Sequence, residues 1–271
     1  MASQNTDLVG NTKLPVAKLR QLEVQSLLLS SGIYRFHQAN QESLTISTSL
    51  SDMVSKCSIL NVHVDAAVGV EVANSLWDHG EMGTSIRMLQ EIDRSSSLNK
   101  QAIPVERADL LSKIGHQASI ARVEKPRDIQ KKYLDPALRD LGGVHEGSKA
   151  GVVFHQFARF CDDQLQDADG LEDLSRLQSL KKAKSAEVAE LKSLVSSTRD
   201  TQLRNRYNHV LNKEKQWLDL DEHELRRAEQ TRSEFVRLSL ENYLLSLIAS
   251  DDNNNDAVRF TALWLQRSEE D

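Results

Sequence analysis

The chain has 271 residues, enough for one large domain or two ordinary ones whose core needs neither disulfides nor metal. A formal charge of -6 and an estimated pI of 5.8 argue against a chain-wide electrostatic grip on nucleic acid. Hydrophobic residues make up 39% and aromatics only 5%, with 11 Gly and 4 Pro, which is thin material for a β-sandwich or a Gly-looped α/β enzyme.

In chain order, residues 1–14 read as a polar, disordered leader with no apolar core of signal-peptide length. From Pro15 the pattern turns helical. Leu19, Leu22, Leu27, Leu28 and Leu29 recur near three-to-four spacing, and Ser30-Ser31-Gly32 weakens it. Residues 41–60 carry Leu44, Ile46, Leu50, Met53, Val54, Cys57 and Leu60 on a helical face, against a Ser/Thr content that lowers propensity.

The stretch Asp78-His79-Gly80-Glu81 raises a choice between a metal-site corner and punctuation between helices. Asp65 is a plausible N-cap for a helix with Val68, Val72, Ser75 and Leu76 inward, running out at His79-Gly80. Thr84 then caps a second helix carrying Ile86, Leu89 and Ile92. Gly80 falls where a left-handed residue is wanted after a helix, a conformation free of Cβ penalty only for glycine. No matched ligands accompany the cluster elsewhere, so the punctuation reading is preferred.

The grammar then repeats. Pro104 opens a helix with Leu110, Leu111, Ile114 and Ala118 inward, Pro126 breaks it, and a partner with Ile129, Tyr133, Leu134, Leu138 and Leu141 ends at Gly142-Gly143, with a kink expected at Pro136. Successive antiparallel hairpins over 15–146 suggest an α-solenoid of tetratricopeptide-like character. Residues 147–271 change to long helices. Val152, Val153, Phe157 and Phe160 pattern one, Leu171 to Val195 a second, and Leu203 to Leu238 a third that continues into YLLSLI. A last amphipathic helix begins at Ala257 with Phe260, Leu263 and Trp264, whose apolar face is expected to lack cover. The fold class is all-α: helical hairpins followed by long packed helices.

Chemistry is scarce in this pattern. Neither GxxxxGK[ST] nor GxGxxG occurs, and Gly80 and Gly83 lack the strand such a loop follows. The 8 histidines are scattered singly without HExxH or HxH, and His155 reads as a core-edge residue. GxSxG, HRD and DFG are absent. Cys57 and Cys161 make no CxxC pair and read as buried free thiols of a reducing, intracellular compartment. The basic runs 180–192 and 198–215 have acids interleaved and read as solvated helix faces, so direct nucleic-acid contact is not expected. No catalytic, cofactor-binding or metal-ligating residue is assigned.

The order EVANSLWDHGEMGTSIRMLQEI, LLSKIGHQASIARVEKPRDIQKKYLDPALRDL, KAGVVFHQFARFCDDQLQ, and ELRRAEQTRSEFVRLSLENYLLSLIASDDNNNDAVRFTALWLQ resembles the FAT region of the ATM-type phosphatidylinositol-3-kinase-related kinases. Among these it looks most like the fungal telomere-length and DNA-damage checkpoint kinase. The match runs over about residues 65–267. The resemblance implies a fragment of a nuclear serine/threonine kinase that phosphorylates Ser/Thr-Gln sites after recruitment to double-strand breaks and maintains telomeres. ATP and Mg would belong to kinase lobes outside this chain, and no catalytic position carries over. Expected partners are the kinase domain, the remaining solenoid, a break-recruitment complex and a second copy. Two rivals stand beside this reading: a free-standing tetratricopeptide-like adaptor, and a coiled-coil structural protein built on 171–249.

Overall fold

A computed structural model describes residues 5–95, 98–143, 146–250 and 254–270. Among the described residues the regular elements are all helical. They form two compact units, Met1–Gln156 with Ile248–Ser250, and Phe157–Leu247 with Asp251–Asp271.

The first unit opens with α1 (Asn5–Phe36) and α2 (Asn40–Ile59). Residues 5–14, read from the sequence as leader, belong to α1, and Pro15 lies inside that helix rather than at its start. The proline lacks one N–H, but the helix runs on through it, and Gly10 before it costs only about 1 kcal/mol of helix propensity. The face assignment on α1 also differs from the leucine pattern. Val24 is fully buried and Leu27 and Leu28 pack around it, whereas Leu19, Leu22 and Leu29 are exposed.

α2 buries Ser43, Ser47, Leu50, Met53 and Cys57. Its serines, counted against helix formation in the sequence, therefore line the contact with its neighbours. Ser75 on α3 (Asp65–Asp78) meets Ser43 Oγ at 2.8 Å and Ser47 Oγ at 2.7 Å, and Ser31 of α1 meets Ser43 Oγ at 2.9 Å. Small side chains let three helices approach closely, and each hydroxyl keeps a partner inside the contact.

The turn into α4 (Met82–Arg94) is the punctuation expected of Asp78-His79-Gly80-Glu81. Gly80 has φ 96°, its N–H donates to the Trp77 carbonyl at 3.0 Å, and the Glu81 N–H reaches back to the Leu76 carbonyl at 2.9 Å. This paired pattern closes the last carbonyls of a helix around a left-handed residue. Two expected caps are corrected. Asp65 is the first residue of α3 and accepts a hydrogen bond from Gln101 Nε2 at 2.9 Å, and Thr84 lies within α4, which follows Glu81.

The third hairpin pairs α5 (Arg107–Ile120) with a broken arm: α6 (Pro126–Ile129), a π-helical turn (Gln130–Leu134) and α7 (Asp135–Asp140). The kink expected at Pro136 takes the form of this wide turn, in which the Asp135 N–H donates to the Gln130 carbonyl. A proline ring collides with the carbonyl four residues earlier in a regular helix, and the five-residue turn just before it moves that carbonyl aside. Gly115 of α5 sits against this arm, where a Cβ would lie 2.7 Å from Leu134 Cδ2.

α8 (Ser148–Gln166) supplies buried Val153 and Phe154 to the first unit, and Phe157, Phe160 and Cys161 to the second. In the second unit, α9 (Ala168–Ser197) and α10 (Thr201–Ala249) carry facing stripes at three-to-four spacing, with Val188 and Leu211 buried. Lys184 Nζ donates to Glu214 at 2.6 Å across that seam, and Lys181 lies 3.7 Å from Glu222. Part of the basic run 180–192 is thus drawn into helix pairing instead of standing on a solvated face. α11 (Asn254–Glu270) follows. Its expected bare face is half covered: Leu263 is buried and Phe260 packs against the cluster that holds Leu240 and Tyr243, while Trp264 remains 57% exposed.

Candidate functional site

None of the residues singled out in the sequence assembles into a reactive constellation. Asp78 lies 3.6 Å from Arg35, and its carbonyl accepts a hydrogen bond from Asn40 at 2.8 Å. Arg35 in turn forks onto Glu71, with both bonds at 3.0 Å. This set ties the start of α2 and the end of α1 to α3. Among the described residues no group of three or more His, Cys, Asp or Glu side chains is gathered as a metal site would require. No helix of the described chain is long and apolar enough to cross a membrane. Cys57 is buried and burial pushes its thiol up, the opposite of what a reactive thiolate needs.

In the first unit a cavity of about 680 Å³ lies beside Arg107, Asp93, Asp140, Glu106 and Lys149, with Val153 in its apolar wall. Arg107 is already spent. Its Nε donates to Asp93 at 2.8 Å and one terminal nitrogen to Asp140 at 2.9 Å, and Lys149 is paired with Glu106 at 2.6 Å. The Asp93 hydrogen bond holds the guanidinium still more firmly protonated than usual. Opposite charges pair here, which binds α4, α5 and α7 together.

In the second unit a polar site is centred on Asp162. It receives Arg259 Nε and a terminal Arg259 nitrogen at 2.6 Å each, Gln166 Nε2 at 2.8 Å and the Tyr243 hydroxyl at 3.1 Å. Burial by itself would push Asp162 up, but the donors from Arg259, Gln166 and Tyr243 outweigh it and hold the carboxyl below its usual range. Tyr243 moves up because of burial and the adjacent carboxylate. The work of Asp162 is to fix α8, α10 and α11, assisted by Ser246 donating to Asp256 at 2.8 Å. The sequence reading missed this hub, because Asp162 and Arg259 are 97 positions apart and neither belongs to a spacing motif.

What the surface offers is apolar helix faces. On α1, Leu19, Leu22, Leu29, Ile33 and Phe36 keep three-and-four spacing and are 50–84% exposed. On α10, Leu203, Val210, Trp217 and Leu220 are 40–60% exposed. Helices that bury one stripe and present another are the stuff of scaffolds, where neighbours rather than substrates are recognised.

No family model matches the chain. It is 69% identical over 271 residues to the serine/threonine-protein kinase TEL1 of Gibberella zeae, covering 100% of this chain and 9% of that protein. With tel1 of Neurospora crassa the identity is 61% over 259 residues, covering 96% and 9%. A solved structure described as the FAT and kinase domain of CtTel1 superimposes with a TM-score of 0.81 at 59% identity, over 94% of this chain and 17% of that one. The complete CtTel1 dimer with C2 symmetry gives the same TM-score, 0.81, at 58% identity over 94% of this chain and 9% of that one. The chain spans about 9% of the length of these curated relatives. The helical hairpins and the similarity across this chain agree: the chain belongs to the Tel1-type, ATM-related serine/threonine kinases as a segment of their FAT region, outside the kinase domain.

Proposed function

We propose that this chain is a scaffold segment of a kinase that signals DNA double-strand breaks and maintains telomeres by phosphorylating Ser/Thr-Gln sites in the nucleus. The observation that carries the reading is the 0.81 TM-score at 59% identity to the FAT and kinase domain of CtTel1. In this reading 15–146 contribute hairpin repeats at the start of the FAT region and 147–271 its long-helix part. The chain itself transfers no phosphate. ATP and Mg are held by kinase lobes elsewhere in the longer polypeptide, against which these helices pack together with the remaining solenoid.

The description of CtTel1 as a C2 dimer supports a second copy as a partner; a break-recruitment complex is a further partner in this reading. Stacked hairpins position a distant active site by being stiff. The saturated ion pairs at Arg107 and Asp162 supply that stiffness within each unit. A contact on such a scaffold alters the kinase only if the helices hold two arrangements of different energy.

The test is an immunoprecipitation from nuclear extract with an antibody against residues 150–250. The expected result is a polypeptide far larger than 30.5 kDa that phosphorylates a Ser-Gln peptide, while the purified 271-residue chain does not. A nuclear band at 30.5 kDa, or phosphate transfer by the isolated chain, would overturn the proposal.

A further inference from the structure

We draw no further inference here: the strongest candidate, the mixed-charge cavity of about 680 Å³ at the starts of α5 and α8, rests on an acidic cluster and two helix N-termini with no second observation that points to a ligand, and nothing in the structure shows what covers it.

Discussion

Arg259 of α11 closes on Asp162 of α8 with two hydrogen bonds of 2.6 Å, on a carboxylate whose side chain is only 5% exposed. The pair joins helices 97 positions apart in sequence, and the Tyr243 hydroxyl adds α10 to the same carboxylate. The carboxylate is buried but the Arg259 side chain is 40% exposed, so losing Asp162 removes charge-assisted hydrogen bonds without stranding a buried cation. Asp162→Asn is expected to destabilise the second unit by about 1.5–3 kcal/mol. Arg259→Lys, which keeps charge but loses the fork, should cost less. Urea unfolding followed through the fluorescence of Trp264, which stacks on Phe260 with ring centroids 6.2 Å apart, measures both.

The same carboxylate sets a pH dependence. Its folded pKa is lowered, so its contribution is complete above the ordinary carboxylate range near 4 and is lost as pH falls through the folded value. Asp163 beside it runs the other way, because burial raises its pKa and its contribution is lost as pH rises. Asp162 is itself a smaller cause of the rise at Asp163, so the difference in Tm between wild type and Asp162→Asn reports Asp162 together with its effect on that neighbour. That difference is expected to be constant from pH 8 to about 5 and to shrink below about 4. A difference that grew on acidification would contradict the bonding described.

Two glycines are required for different reasons, and alanine separates them. Gly80 has φ 96° with nothing near its missing Cβ, so Gly80→Ala costs only backbone strain, about 1 kcal/mol, and Gly80→Asn recovers part of it. At Gly115 the backbone is helical and alanine would gain about 1 kcal/mol of propensity. There the new methyl meets Leu134 Cδ2 at 2.7 Å, Leu134 Cγ at 3.1 Å and Tyr133 Cβ at 3.3 Å. Overpacking of about 1–3 kcal/mol is expected to win, giving a net loss that Leu134→Ala in the same chain partly relieves. A double-mutant cycle by thermal melting reads the coupling.

Ser75→Ala should destabilise the first unit by about 1 kcal/mol, because it removes the partner shared by Ser43 and Ser47 in a fully buried contact. Ser75→Thr keeps the hydroxyl but adds a methyl between helices in close approach. It is expected to cost more than alanine, which hydrogen-exchange protection of α2 and α3 would report.

The hairpins were legible wherever the chain obeyed its own punctuation. Gly80, Gly142 and Gly143 each have positive φ at a helix end, as their positions after apolar-periodic runs implied. Leu110, Leu111 and Ile114 are buried as patterned. Legibility failed where polarity and burial parted company. Ser43, Ser47 and Ser75 are core residues because they satisfy one another, a property no single position displays. Leu19, Leu22 and Leu29 are surface residues because α1 has two apolar faces, of which the one with Val24 is covered by the described residues. The Asp162 hub was invisible for a third reason. Long-range pairing of one acid with one arginine leaves no periodic trace.

The π-helical turn has a consequence for how the third hairpin keeps its phase. In a regular α-helix five residues advance the chain by about 500°, so Ile129 and Leu134 would face directions about 140° apart. Both are 1% exposed, and a wide turn, with its smaller rotation per residue, turns them toward a common side of the arm. In effect the segment Gln130–Leu134 carries one residue more than a helical lattice needs. Deleting Lys131 would restore the ordinary lattice spacing between two buried anchors, and would return the Pro136 ring to a collision with the carbonyl four positions back. The surplus residue is thus what allows a proline to sit in mid-arm while the hydrophobic frame on either side of it stays in step.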